Sequence, residues 1–342
     1  MTPKLSILLP AMLGYDSVRA ALAAWESQTC RDQLEILVLC PENRGPDAGQ
    51  AAALPPRQTV IDTGKADLHE ARAMGVARAA GDYVMLAEDH CLPDPDWAQA
   101  VLARIAEGWD AVGSTLRPGT RTSPWAEGSF LIGYGEWMIP VAGGPVRVLC
   151  GWNGTIRTEL LRRMGDELAS ELLLGAFLVK RLSGEGHRFY LEDRARMRHF
   201  DPPGWAYELF LLVIVGLGFG ATRTKRWPIP ARVAYLLAAP AAAFMHFRRA
   251  FVHYWRAGRP CGLRSSSLAA AFVLALMWGV GEAAGALLGT RKVAPHQWRT
   301  EVKPVRAEDV ERSASLERLH SDRWSGCEAG TNEPEPGAAE RA

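Results

Sequence analysis

The chain has 342 residues, room for one large domain or two ordinary ones, and a formal net charge of +1. So balanced a charge argues against the basic surface that non-specific nucleic-acid binding needs, and no nucleic-acid partner is expected. The six cysteines are scattered without a CxxC pair, which argues against a disulfide scaffold or a structural zinc site and fits a reducing compartment.

Residues 4–9 read as a strand closed by Pro10. This apolar run is too short and wrongly flanked for a signal peptide, so the N-terminal domain is expected to be cytoplasmic. Residues 16–28 have helical spacing (Val18, Leu22, Trp25). Residues 34–39 (LEILVL) are a second buried strand, 41–57 a Pro-, Gly- and Ala-rich loop, and 58–61 a third strand. Residues 69–80 read as a helix, Gly81 and Asp82 as a turn, and 83–87 as a strand apolar enough to be buried on both faces. That strand runs into Glu88, Asp89 and His90. In open α/β sheets ligands gather at the carboxyl ends of strands. Carboxylates and an imidazole there suit a divalent cation whose open positions are filled by phosphate oxygens. If the strand continued, Glu88 and His90 would share a face with Asp89 opposite.

Residues 96–107 are a further amphipathic helix and 111–116 a further strand. The alternation predicts an α/β fold with a mostly parallel, Rossmann-like sheet and helices on both faces. Residues 120–144 break the pattern with aromatics and glycines (Trp125, Phe130, Tyr134, Trp137). They read equally as a wall over a cleft or as an irregular packing loop. A strand at 146–150 leads through Gly151–Arg157 into a helix at 158–164. A longer helix follows at 168–182, with Glu171 near its start. A strand at 187–191 leads out through His199.

After Pro202 and Pro203 come three apolar segments, 205–222, 229–247 and 268–289. A spanning helix needs roughly 20 apolar residues. The third meets that, the second marginally, and the first is short. Basic loops at 223–227 and around Arg248, Arg249, Arg256, Arg259 and Arg264 cannot both lie outside under the positive-inside rule, so orientation stays open, as does an interfacial placement. From about residue 300 the chain is polar and expected to be disordered. The expected units are a catalytic domain (1–203), a membrane-associated helical region (204–290) and a polar tail (291–342).

Three stretches, LSILLP, ARAMGVARAAGDYVMLAEDHCLPDPDW and GWNGTIRTELLRRMG, resemble family 2 glycosyltransferases of the GT-A fold, over about residues 4–200. The resemblance implies an inverting transferase that moves a sugar from a nucleotide-diphosphate sugar to a hydroxyl acceptor. It implies donor contacts at Pro10, Arg72, Glu88 and Asp89. A divalent metal, Mg or Mn, would be held by Glu88, His90 and His199, with Glu88-Asp89-His90 in the place of the family's Asp-x-Asp. Trp152 and Asn153 would line the acceptor side, and Glu171 would be the base. The apolar C-terminal third resembles membrane-associated members and suggests a membrane-bound enzyme with a lipid-linked or cell-envelope glycan as acceptor. The chain departs from the family where Cys40-Pro41-Glu42 follows the second strand and where Leu172 replaces a second acid. Two other readings stand beside it. A nucleotidyltransferase would need a Gly-, Arg- and Lys-rich loop where Ala11–Tyr15 stands. A membrane scaffold with a degenerate transferase domain would explain the departures.

Overall fold

A computed structural model describes residues 3–319 apart from 298, 300, 301 and 304. Nine strands form one sheet: β1 (Leu5–Pro10), β2 (Leu34–Cys40), β3 (Gln58–Asp62), β4 (Tyr83–Leu86), β5 (Cys91–Pro93), β6 (Ala111–Pro118), β7 (Gly144–Val146), β8 (Thr155–Arg157) and β9 (Phe189–His199). Their order is β3-β2-β1-β4-β8-β6-β9-β5, with β7 also on β9. The first four strands pair in parallel. β8 enters antiparallel between β4 and β6. The α/β fold expected from the alternation is the one observed.

Around the sheet lie α1 (Arg19–Glu26), α2 (Ala48–Ala52), α3 (Leu68–Arg78), α4 (Trp97–Ala106), α5 (Pro124–Gly133), α6 (Thr158–Arg162), α7 (Leu168–Glu171) and α8 (Gly175–Gly184). Within β1 the side chains alternate between two cores. Leu5, Ile7 and Leu9 pack with Trp25 and Trp97, and Leu8 packs with Leu37, Val76 and Leu178. Asp67 starts α3 through a capping box: its carboxylate accepts from the His69 and Glu70 amides, and Glu70 accepts from the Asp67 amide. Gly81 then lets the chain turn against β1, where a Cβ would come 2.7 Å from the Ser6 nitrogen.

The C-terminal part holds α9 (Trp205–Arg223), α10 (Ile229–His253), α11 (Ser266–Leu288), α12 (Thr290–Gln297) and α13 (Ala307–Leu319). α9 and α11 are long and apolar enough to cross a membrane. α10 has 25 residues but does not reach that standard; it carries Arg232, Pro240, His246, Arg248 and Arg249. The short first segment thus qualifies and the second does not.

Several expected elements differ. The helix expected over 168–182 is split at residues 172–174. Gly151 and Gly175 approach so closely there that a Cβ on Gly151 would sit 2.2 Å from the Gly175 carbonyl carbon. Residues 120–144 contain α5, started by the Ser123 side chain and Pro124 at its first position. The strand expected at 146–150 is β7, placed earlier, and β5 and β8 were not foreseen. The polar tail is helical over α12 and α13, and Lys303 is buried. Residues 320–342, including Cys327, lie outside the described residues. Cys30, Cys40, Cys91 and Cys150 are free thiols, whereas Cys261 is disulfide-bonded.

Candidate active site

β4 stops at Leu86, where the segment before β8 holds the strand end and Glu88 beyond it. The Asn153 amide donates to Leu86 O at 2.8 Å, and the Leu86 amide to Gly154 O at 3.1 Å. Asn153 adopts φ +57°, a left-handed turn that asparagine tolerates better than most residues. That turn aims its amide at Glu88. Asn153 Nδ2 donates to Glu88 Oε2 and Asn153 Oδ1 accepts from the Glu88 amide. From α5, the Tyr134 hydroxyl donates to Glu88 Oε1 at 2.8 Å. Trp152, beside Asn153, stacks beneath Arg72, whose guanidinium lies 3.9 Å from the ring centroid.

The two histidines are positioned by carboxylates. Asp89 Oδ1 is 2.7 Å from His90 Nδ1, and Asp201 Oδ2 is 3.2 Å from His199 Nδ1. β5 pairs with β9 and sets Cys91 opposite His199, which brings the rings together across 109 residues. With Nδ1 of each ring turned to a carboxylate, the two Nε2 atoms face each other at 3.0 Å. Glu88 oxygens lie 3.9 Å from His90 Nε2 and 3.7 Å from His199 Nε2. Donor atoms of Glu88, His90 and His199 thus fall within 4.8 Å of one another, all buried.

Two neutral imidazole lone pairs held at that distance repel unless a cation or a shared proton lies between them. Burial pushes the basicity of His90 well below the ordinary range, against the pull of Glu88. Burial pushes Glu88 up, but His90, His199 and Lys303 outweigh it and leave its carboxyl lower than usual. Two imidazoles and a carboxylate whose donor atoms converge on one point are the ligand types that divalent metals take. The donor set therefore fits a divalent cation.

Lys303 closes the group from the C-terminal side. Its amide donates to both oxygens of Asp89, at 3.1 and 3.2 Å, and its ammonium lies 2.6 Å from Asp201 Oδ1. Burial opposes the charge on Lys303, yet Asp201, Tyr207 and Glu208 hold its pKa above the ordinary value. Asp201 is correspondingly lowered against its own burial, by Lys303 and then His199. Burial lifts Asp89 to about 7, with Lys303 and Arg72 pulling the other way.

Glu88, Asp201 and Lys303 line one end of a cavity of about 260 Å³, with Tyr134, Glu136 and Trp152 on its walls. On its other side the Lys303–Asp201 pair borders a second cavity of about 540 Å³ beneath α13.

Residues 6–165 match the model of glycosyl transferase family 2. They form a family 2 glycosyltransferase domain. Its sheet mixes parallel and antiparallel strands, and two apolar helices follow it. Among solved structures, the chain is similar to GalNAc-T7 with UDP, GalNAc and Mn2+, at 11% identity and a TM-score of 0.46, covering 66% of this chain and 52% of that one. The chain thus spans about half the length of that protein. No curated protein matches the sequence.

Within the glycosyltransferase domain, the sequence reading and the geometry agree in part. Glu88, His90 and His199 are brought together as one group. Asp89 is not turned to a donor site as expected, because its oxygens are taken by His90 and the Lys303 amide. Arg72 is fully buried behind the tip, where Nη2 donates to Ala87 O at 3.2 Å, and not on an exposed helix face. Pro10 is buried at the end of β1, in register with Leu39. Trp152 lines the cavity, while Asn153 serves Glu88 directly.

Glu171 requires a correction. It ends the one-turn α7 instead of starting a long helix, and its carboxylate lies 3.2 Å from Arg181 Nη1. It does not line the cavity that holds Glu88. The sequence reading missed Asp201 and Lys303, and named Tyr134 only among the aromatics of a wall over a cleft, which is where it stands. Asp201 carried a signal, since it follows His199 by two residues just as His90 follows Glu88. Lys303 carried none.

Proposed function

We propose that the chain transfers a sugar from a nucleotide-diphosphate sugar to a hydroxyl acceptor, with inversion, on a membrane to which α9 and α11 bind it. The observation that carries this reading is the convergence of Glu88, His90 Nε2 and His199 Nε2 in a buried family 2 glycosyltransferase site. These three residues would hold the divalent ion, Mg or Mn, and two imidazoles favour the softer of these. When bound, such an ion neutralises the charge that builds on a diphosphate leaving group. The rest falls to the chain itself. Asp89 and Asp201 fix the two rings. Tyr134 and Asn153 fix Glu88. Lys303 adds a permanent positive charge beside them.

A single displacement also needs a proton acceptor on the cavity wall. Glu88, Glu136 and Asp201 are its carboxylates among the described residues. Glu88 and Asp201 belong to the buried group, which leaves Glu136, held by Arg249 at 2.6 Å, as the proposed base. A base of this kind contributes about 10²–10⁴-fold.

The test is nucleoside diphosphate release from a panel of nucleotide sugars, with membrane extract as acceptor. Chelation and Glu88→Gln are each expected to remove turnover. Glu136→Gln is expected to lower kcat by at least a hundredfold, and Glu171→Gln to leave it within about twofold. Turnover that survives both chelation and Glu88→Gln overturns the reading.

A further inference from the structure

The cavity beside Glu88 does not end in the catalytic domain. It continues between the C-terminal helices, where Leu212, Val215 and Phe219 of α9 and Trp278 of α11 form its far wall. Its two ends differ in chemistry. One carries Glu88, Asp201, Lys303 and Glu136. The other is apolar apart from His246, whose imidazole is turned inward: Nε2 lies 3.7 Å from Glu282 and the ring stacks on Trp278 at 4.2 Å. Tyr235 and Arg223 close on the same Glu282 carboxylate.

We propose that this cavity takes a neutral, hydroxyl-bearing lipid as acceptor, its hydroxyl toward Glu88 and its hydrocarbon between α9 and α11. The proposal rests on the transfer reading above and names the acceptor class for it.

Three observations lead there. A water-soluble glycan would leave its hydroxyls unpaired against Leu212, Val215 and Phe219, and buried unpaired polar groups are costly. The outer faces of the same helices are apolar too, with Phe210 45%, Leu287 55% and Val280 57% exposed, so hydrocarbon is the medium from which this end would fill. The charges at the polar end decide the head group. Three carboxylates (Glu88, Glu136, Asp201) face two cations (Lys303, Arg249). A phosphate head would add negative charge beside the donor diphosphate, whereas a hydroxyl adds none.

The reaction balances without a further reactant. The lipid oxygen forms a bond to the anomeric carbon as the bond to the diphosphate oxygen breaks. The leaving nucleoside diphosphate carries off the electron pair, and the hydroxyl proton passes to Glu136.

The test is photo-crosslinking of the full chain, in phosphatidylcholine nanodiscs, with a diacylglycerol bearing a diazirine on its chain. Crosslinks are expected on the inner face of α9 around Val215 and on Trp278. Excess 1,2-dioctanoylglycerol should suppress them at least fivefold, and dioctanoyl phosphatidate should not. Crosslinks on Phe210 and Val280 report bulk lipid and should resist both competitors. Val215→Trp should remove the inner crosslinks and keep the outer ones. Leu212→Trp serves as a second variant where the first loses the outer set and therefore the fold. Inner crosslinks that are absent, or that phosphatidate suppresses equally, overturn the proposal. The crosslinks read lipid occupancy without turnover. A wild-type protein that fails only in nucleoside diphosphate release therefore refutes the transfer reading, and one that fails only in crosslinking refutes the lipid.

Discussion

His90 and His199 show what one residue can and cannot announce from sequence. Glu88-Asp89-His90 was legible because a buried strand running into acids and an imidazole is a chemical pattern. His199 was reached by motif order, and β5–β9 pairing is the physical reason it meets His90. The roles were less legible, since burial decides them: Asp89 and Asp201 are spent on ring nitrogens, which only the folded site shows. Carboxylates placed behind ligating imidazoles typically change metal affinity by 10–100-fold. Asp201→Asn should therefore weaken Mn binding by about that range in calorimetry, and His199→Ala by more. Equal affinity in all three proteins would remove the metal assignment. A second residue titrates away from the metal group. His69, at the start of α3, is pushed down to about 4 by burial and by Arg72, against Asp67. Its unfolded pKa is about 6.5, so the unfolded chain binds the extra proton between these values. Stability is then full above about pH 6.5 and falls with pH through the window, by about 2 kcal/mol at pH 5. Melting temperatures at pH 7 and pH 5 should differ less in His69→Leu than in wild type.

At the scale of elements, strands of four or more residues with a buried period were legible and three-residue strands were not. β5 and β8 have too few positions to show alternation; β8 exists because it bridges β4 and β6, and β5 because it adds to the long β9. The split between α7 and α8 was equally hidden, since it depends on backbone contact between Gly151 and Gly175. The apolar helices carry a signal that was present and unused. Gly216 and Gly220 on α9 face Gly281 and Gly285 on α11, and a Cβ at any of them would come within 2.2 Å of the opposing backbone. Small residues four apart let two helices approach closely where lipid supplies no hydrophobic drive. Gly220→Ala would place its Cβ 1.9 Å from Glu282 O, which cannot move without the helix. Gly218→Ala instead meets the end of the Gln297 side chain at 2.6 Å. Overpacking costs about 1–3 kcal/mol. Gly220→Ala should lower the melting temperature in detergent clearly more than Gly218→Ala, and equal shifts would contradict the packing.

The whole molecule is a sheet domain and a helical bundle joined by buried polar contacts and by a shared apolar core, in which Tyr254, Leu263 and Ala271 cluster with Phe130 and Leu131, and composition could not reveal the join. The tail reads as too polar to fold, yet Lys303 meets Asp201 and Asp89 at the site, Val302 is buried, and Val305 and Val310 pack on the core. The bundle docks through Glu127 of α5, which is buried. Its carboxylate accepts from the Arg264 amide at 2.9 Å and from Ser267 Oγ, and pairs with Arg264 Nη1 at 3.2 Å. Arg256 adds bonds to the carbonyls of Gly135 and Glu136. Removing one partner from a buried charged group typically costs about 3–5 kcal/mol. Glu127→Ala should therefore free the start of α11 from the sheet domain. The metal group, built wholly from the sheet domain and Lys303, does not use Glu127, but the cavity wall on α9 and α11 depends on that docking. The expected result is Mn affinity close to wild type, rapid proteolysis between residues 254 and 265, and loss of the inner lipid crosslinks. A variant that loses metal binding and docking together would show that the two parts fold as one unit and that the cavity is not a seam between them.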